Sequence, residues 1–470
     1  MHARGVDHRG GRRSRREKRG GQRGDLRRAY RALLCAVLLA SASAALADPA
    51  RVGVYDPLAG VDPNGRIRKP ALPDDLPNPE RWRYIPEGRI KPGNVFTRLM
   101  VSSFVVPFVF ASSDVGVGGG LALTDIDFRQ RRRREFAGFF VSYTTESQQA
   151  YTGVWRRWIH HREHPEGGVL QEERSFWRAR GGWSRTLTRR FFGLGAGTKE
   201  NDESSYTDEL TELGFGLSRA IPDPGDDLIL DGGLRLELHH LSDGAVGGVP
   251  NTEVAFPGAF ASARNADLGW IETSLSWDTR DSQRNPYRGW NVLGHAEGAI
   301  VQRSGDAGGR FTLSATKLFP LPGLLHDGGD PDEENPPTDT LALNLWSQAS
   351  AGDLPFFALP TLGGTERLRG YLPGRWYGRA AWFGAAEYRL WILPRGFGLK
   401  PPFRVERGGA ALFVEIGSVA SDWPSLFSAT QHFSYGVSLR MTLERAAPFR
   451  LDFGFSDEGL NVTARFGLNF

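Results

Sequence analysis

Cysteine is nearly missing from this chain of 470 residues, which has only Cys35. That scarcity excludes a disulfide framework and a cysteine-built metal centre. Also missing, beyond the N-terminal region, is any long apolar run of about 18 residues or more, which removes helical membrane spans. Catalytic signatures are scarce as well. No G-x-S-x-G occurs, and Gly193–Lys199 only approaches the phosphate-cradling G-x-x-x-x-G-K. His160-His161-Arg162-Glu163-His164 contains H-x-x-E-H, but that spacing gathers zinc ligands only on a helix. Here it follows a strand-like run and precedes Pro165. The sequence therefore predicts no catalytic residue, no metal, no cofactor and no enzymatic activity.

Positive charge is abundant only at the start. Arg12, Arg13, Arg15, Arg16, Lys18, Arg19, Arg27, Arg28 and Arg31 precede the apolar Ala32–Ala40 and then Ala45-Leu46-Ala47. That order predicts an export signal over residues 1–47, cleaved before Asp48. Residues 1–47 hold 12 of the 58 Lys/Arg and 3 of the 54 Asp/Glu, leaving 46 basic against 51 acidic residues, a net of −5. The basicity belongs to the leader, and a nucleic-acid partner is not expected. Cys35 lies in that leader, where Leu34 is too large for a lipoprotein signal. A mature chain without thiols suits an oxidising envelope compartment.

What the chain does have is glycine (59 residues) and aromatics (11%), with a negative mean hydropathy. Strands that show only half their side chains to lipid give that combination. From Asp48 to Val95 there are nine prolines in 48 residues and no periodicity, so residues 48–114 are expected to form an extended periplasmic arm and lead-in. From Val115 to Phe470 the pattern is period-two alternation broken by turn clusters. In the last such run Leu460, Val462, Ala464, Phe466, Leu468 and Phe470 alternate with polar residues and glycine.

Sixteen runs can be counted, near 115–128, 135–145, 149–160, 172–184, 190–200, 206–219, 228–240, 267–278, 289–300, 309–319, 339–351, 379–391, 409–420, 431–444, 448–456 and 459–470. The expected fold is all-β, a transmembrane antiparallel barrel over 115–470 with both ends in the periplasm. On that count Arg131–Arg134 falls in the first outward loop, Gly323–Asp339 in a periplasmic connection, and Gly363–Tyr371 in the sixth outward loop.

The stretch G-G-T-E-R-L-R-G-Y, Gly363 to Tyr371, carries an Arg-Gly-aromatic tip inside that loop. Its bland reading is a glycine-rich hairpin loop. Alternation places Glu387 and Glu415 on the lumen face of neighbouring strands, however, and an arginine fork suits carboxylates. Arg369 left unpaired inside would be costly, so the loop is expected to fold inward and dock on them. Asp278, Arg280, Asp281, Pro286 and Gly289 form a second constellation, read as an inward-side turn locked by charge pairs.

These pieces together resemble the BamA/TamA-type superfamily of outer-membrane assembly and secretion barrels, the bacterial surface antigen family. The likeness rests on D-T-R-D…N-P-Y-R-G, L-R-G-Y, G-A-A-E-Y-R, F-V-E-I-G-S-V and P-F-R-L-D-F, in family order over about 277–470. The resemblance implies that Arg369, with Gly370 and Tyr371, is the docking-loop arginine and that Glu387 and Glu415 are its partners. The family more often has Asp at the position of Glu415. It also implies a lateral seam between first and last strands, here Val115–Phe128 and Gly459–Phe470, with Gly116, Gly118, Gly119 and Gly120 loosening one side and Phe466 and Phe470 on the other. Asp48–Val95 is too short and proline-rich for a POTRA module, so the likeness is to a barrel-only branch. Expected partners are outer-membrane lipids and lipopolysaccharide, with a client polypeptide or a periplasmic protein. The expected role is insertion or translocation of polypeptides or lipids, a passive barrel being the alternative.

Overall fold

The computed structural model describes residues 61–69, 71–85, 104–112, 115–125, 134–165, 168–283, 285–302, 307–330, 332–333, 335–398, 404–443 and 447–466. Sixteen antiparallel strands close into one barrel. They are β1 Phe104–Ser112, β2 Gly116–Asp125, β3 Glu135–Thr144, β4 Gln149–Trp158, β5 Phe176–Phe191, β6 Ser204–Ile221, β7 Leu228–Asp243 and β8 Asp267–Asp278. There follow β9 Gly289–Gln302, β10 Gly308–Leu321, β11 Asp339–Gly352, β12 Ala380–Leu393, β13 Arg404–Ala420, β14 His432–Leu443, β15 Ala447–Ser456 and β16 Gly459–Phe466. Each strand pairs with its sequence neighbours, and β1 closes on β16.

Alternation decides which way each side chain faces. Leu213, Leu234, Leu345, Val414, Phe433 and Leu460 point outward and are 54–62% exposed. Burying one such side chain is worth about 1.5–3 kcal/mol, so a belt of them is stable only against lipid. Their neighbours in the strands face a polar lumen. There Arg235 Nη2 lies 2.6 Å from Glu297, Arg310 Nη2 2.8 Å from the same carboxylate, and Arg180 Nε 3.2 Å from Glu212.

The count of sixteen hides two compensating differences. The barrel begins one strand earlier than the alternation suggests. F-V-V-P-F-V-F-A-S of β1 is apolar on both faces and contains Pro107, so it shows no period of two. In exchange, the expected run 172–184 continues to Phe191 as one long strand, β5, and 190–200 supplies no strand of its own. Residues after Phe191 leave the sheet because Gly193 and Gly195 take φ of +92° and +99°, where glycine is at ease.

The extra strand moves the connection holding Arg131–Arg134 to the opposite rim. It joins β2 to β3, on the same rim as the β10–β11 connection, rather than forming the first outward loop. Arg131–Arg133 lie outside the described residues. The β11–β12 loop remains the sixth on its own rim, because one added and one merged strand leave the later parity unchanged.

The proline-rich arm is more structured than its composition suggests. Trp82–Ile85 pairs with Val169–Glu172, which pairs with His161–Glu163, giving a small three-stranded sheet. The middle of the H-x-x-E-H stretch, His161–Glu163, is thus a strand and not a helix, and His164 Nε2 lies 3.0 Å from Ala71 O. Residues 61–85 cross one rim as a strap. Arg66 pairs with Asp330 (3.1 Å), Arg81 with Asp227 (2.9 Å) and Arg162 with Asp75 (2.7 Å), while Asn78 donates to Asp226 (2.7 Å). On the other rim, Phe191, Tyr206, Leu241, Phe260, Phe356 and Leu359 form one buried cluster. It joins the β7–β8 connection, with its helix Pro257–Ala263, to the β11–β12 loop.

Candidate functional site

The β11–β12 loop reaches the lumen wall because its backbone can turn and approach closely. Gly363 and Gly364 have φ of +102° and +107°, and even Leu368, fully buried, sits at +52°. A Cβ on Gly370 would lie 2.5 Å from Phe455 O, and one on Gly454 of β15 would lie 2.4 Å from Arg369 O. The loop backbone therefore lies directly on β15, in a space only glycine on both sides leaves open.

Arg369 ends up fully buried. Its Nε lies 2.7 Å from Glu415 Oε1 and its own backbone N–H donates to Glu415 Oε2 at 2.6 Å. Nη1 lies 2.9 Å from Glu387 Oε2 and 3.6 Å from Asp452 Oδ1. The guanidinium carbon sits 3.5 Å from the centre of the Phe413 ring, a cation–π contact. Burial alone would lower the Arg369 pKa, but Glu415, then Glu387 and Asp452, outweigh it and hold the cation above its ordinary range.

The cluster is wider than one arginine and two carboxylates. Glu387 Oε1 also receives Arg389 Nε at 2.8 Å and Arg440 Nη2. Arg450 Nη1 lies 2.9 Å from Asp452 Oδ2, and its Nη2 donates to Thr365 O of the loop at 2.7 Å. Ser434 Oγ donates to Glu415 Oε2 at 2.7 Å. Four guanidiniums thus face three carboxylates, contributed by β12, β13, β14, β15 and the loop. Removing one member of such a buried set strands its partners.

The loop is fastened to the last strand as well. Asn461 Nδ2 of β16 donates to Arg369 O and Tyr371 O, both at 2.8 Å, and Arg465 Nη1 lies 2.7 Å from Glu366 Oε1. Tyr371 Oη donates to Phe433 O at 3.0 Å and also to Asp457. Arg375 ties the loop to the β5–β6 connection through Thr198 O, 2.9 Å away, and to Glu458 at 2.7 Å. Among the described residues, no loop hydrogen bond reaches β1 or β2.

The structure brings Arg369, Gly370, Tyr371, Glu387 and Glu415 together. Asp452, Arg450, Arg440 and Asn461 were not singled out from the sequence. The inward parity of Asp452 between Leu451 and Phe453 was the available signal.

The second constellation sits elsewhere, at the strap rim. Arg280 grips Asp278 with two hydrogen bonds of 2.9 Å, and Asp281 Oδ1 accepts from the N–H groups of Tyr287 and Arg288 at 3.1 and 3.3 Å. Burial raises the Asp281 carboxyl above the usual range. Gly289 has φ +109°, and a Cβ there would meet Thr279 O at 2.5 Å. With Pro286 the constellation spans a ten-residue connection, 279–288, rather than a tight turn. Arg81 of the strap also donates to Arg280 O.

The four glycines expected at the seam lie one strand away from it, on β2, whose partners are β1 and β3. Gly118 and Gly120 seat the rings of Phe110 and Phe108, so they make room for packing rather than weakening an edge. Gly119 faces outward with its nearest neighbour at 3.7 Å, and Gly116 turns at φ +72°. Phe466 ends β16 opposite Phe449, and Phe470 lies outside the described residues. Glu272, His295 and Glu297 also converge on the lumen wall. There Arg235 and Arg310 already occupy Glu297 at 2.6 and 2.8 Å, so the donors are engaged in ion pairs.

Three solved structures are similar in fold at low identity. They are BamA from Haemophilus ducreyi lacking POTRA domains 1–3 (TM-score 0.48, 10% identity, 78% of this chain and 71% of that one), CdiB from Acinetobacter baumannii (0.46, 12%, 77% and 58%) and CdiB from Escherichia coli (0.49, 14%, 77% and 62%). The chain spans less than two thirds of the two CdiB chains. No curated protein matches the sequence. Residues 136–470, from the start of β3 to the C-terminus, match the Omp85 superfamily domain. The chain belongs to the Omp85 superfamily.

Proposed function

We propose that this bacterial outer-membrane barrel inserts or translocates polypeptides, or lipids, through a lateral seam between β1 and β16. The observation that carries the reading is the closure itself. Among the described residues β1 and β16 share one paired position, Ala111 opposite Ala464, against nine across β1–β2 and eight across β15–β16. Every second lost ladder position forgoes a pair of hydrogen bonds that lipid cannot replace. Pro107 removes a further donor from β1, and proline in sheets belongs at edges. The docked loop adds asymmetry, because it grips β12 to β16 and leaves β1 free to part from them. The natural partners of such an opening are a client polypeptide and the surrounding lipid. The packed loop rim speaks against a passive open pore.

The seam is tested by closing it. Ala111→Cys with Ala464→Cys places two cysteines opposite each other in an antiparallel pair, within disulfide reach. The only native cysteine is Cys35. In proteoliposomes offered a urea-denatured reporter barrel, oxidation of the pair is expected to abolish insertion and a reductant to restore it. Insertion that continues through a cross-linked seam would leave the passive-barrel reading in its place.

A further inference from the structure

The lumen is not charged all the way round. On β1 to β3 its wall is aromatic, with Phe108 and Phe110 lying over Gly120 and Gly118, and Phe136 and Phe140 lying over Gly138. The opposite face of the same strands carries Leu121, Leu123 and Phe139, all exposed to the lipid side. This segment of sheet is therefore apolar on both faces, and it begins at the seam strand. A wet lumen gives no reason for four half-buried phenylalanines to face inward.

The aromatic wall ends at a cavity of about 650 Å³ beside the strap. Its lining combines apolar Phe136, Val154, Trp158 and Ile85 with Arg156, Arg178 and Arg180, and Arg156 stands directly opposite Phe136 across the β3–β4 ladder. Arg178 is paired with Asp231 and Glu272, and Arg180 with Glu212 at 3.2 Å. Arg156 differs. Among the described residues its guanidinium makes no close ion pair or hydrogen bond; the carboxylate that attracts it, Glu173, is shared with Arg83, 3.6 Å away, and the guanidinium rests 4.1 Å from the centre of the Phe176 ring. The lining holds five arginines, Arg83 and Arg235 included, against the three carboxylates Glu173, Glu212 and Glu272. A cation withdrawn from water with only a shared counter-ion is unfavourable, and an arginine fork is shaped for phosphate or carboxylate.

We propose that this cavity binds an anionic lipid, its phosphate or carboxylate head on Arg156 and its acyl chain along Phe136, Phe140, Phe108 and Phe110 toward the seam. The excess of cations selects an anion, and the aromatic wall selects one that carries a long apolar tail. Continuity of that wall with the lipid-facing belt at β1 gives such a molecule a path from the bilayer. A soluble anion would leave the phenylalanines uncovered, and a zwitterionic lipid would leave Arg156 less well neutralised.

Native mass spectrometry of the purified full chain in detergent tests this, with phosphatidylglycerol, phosphatidylcholine and inorganic phosphate as separate probes. Phosphatidylglycerol is expected to be retained in preference to phosphatidylcholine. Arg156→Gln should weaken its binding about tenfold, the loss of one charge-assisted contact. Lys317→Gln, on the outer face beside Trp290, should leave it unchanged, because annular lipid is not the ligand.

Equal retention of the two lipids, or an Arg156→Gln protein that binds as wild type, overturns the proposal. Inorganic phosphate held as firmly as the lipid overturns its apolar half. If Arg156→Gln fails to give a heat-modifiable barrel, Phe136→Ser serves instead. It is expected to weaken phosphatidylglycerol binding, and an unchanged affinity counts against the site. The measurement needs neither a client nor an open seam, so its outcome is separate from that of the cross-link.

Discussion

Glu387→Gln is the most informative change in the loop-docking cluster. Glu387 is the carboxylate on which Arg369, Arg389 and Arg440 converge. Its neutralisation takes the set from four guanidiniums against three carboxylates to four against two. Arg369 keeps Glu415, while Arg389 and Arg440 each lose an ion pair to Glu387. Breaking a buried pair by removing one member costs about 3–5 kcal/mol, and here three pairs share one acceptor, so a loss at or above the upper end is expected.

Arg369→Met is the contrasting case, leaving three guanidiniums against three carboxylates. Glu415 loses its guanidinium but keeps Ser434 Oγ and the residue-369 N–H. A loss near about 3 kcal/mol is expected. The double variant Arg369→Met/Glu415→Gln removes the stranded charge and should recover part of that loss, a coupling of the kind neighbouring sites show.

Urea unfolding in detergent, followed by tryptophan emission and compared at equal slope, gives the three values. Limited proteolysis within residues 353–379 reports whether the loop is still docked. An Arg369→Met protein less stable than Glu387→Gln, or a Glu387→Gln loss below about 1 kcal/mol, would refute the charge accounting.

Gly370→Ala and Gly454→Ala should each undock the loop, since their new Cβ atoms would meet backbone at 2.5 and 2.4 Å. Protease sensitivity of the loop should rise while heat-modified migration of the barrel persists. Gly119→Ala, with only Phe108 O at 3.7 Å, is expected to be silent in the same assays. The strap depends on acidic partners. Asp75 is lowered from the ordinary 3.8 first by its hydrogen bond from Arg162, and Asp226 by its backbone hydrogen bond from Asp223 and the one from Asn78. A depressed carboxylate stabilises above its unfolded value and loses that contribution as pH falls through the folded one. Cross-linking of the strap to the rim should therefore be flat from neutrality down to about the ordinary carboxylate value and fall only below it.

Much of the cluster was legible because alternation fixes facing. Glu387 between Ala385 and Arg389, and Glu415 between Phe413 and Gly417, could face only one way if their strands were half lipid-facing. The same rule applied to Arg450 and Asp452 would have found the rest. What could not be read is where two rules collide. β1 has no polar face, because its inward side meets phenyl rings and glycines instead of water, so period two disappears there. The glycines of β2 were misjudged for that reason, since their purpose lies in side chains of a strand that shows no pattern. The strap was illegible for another reason. Trp82–Ile85 is made a strand by Val169–Glu172, and the contacts of Asn78 and Arg81 just before it reach residues more than 140 positions away.

The three acids that receive the loop stand on β12, β13 and β15. Slipping any one of those staves by a single residue would turn its carboxylate out toward hydrocarbon. Seating of Arg369 therefore requires all three staves in register at once, since each supplies one of the carboxylates around it. A chain misaligned there would leave the loop unseated and open to proteases.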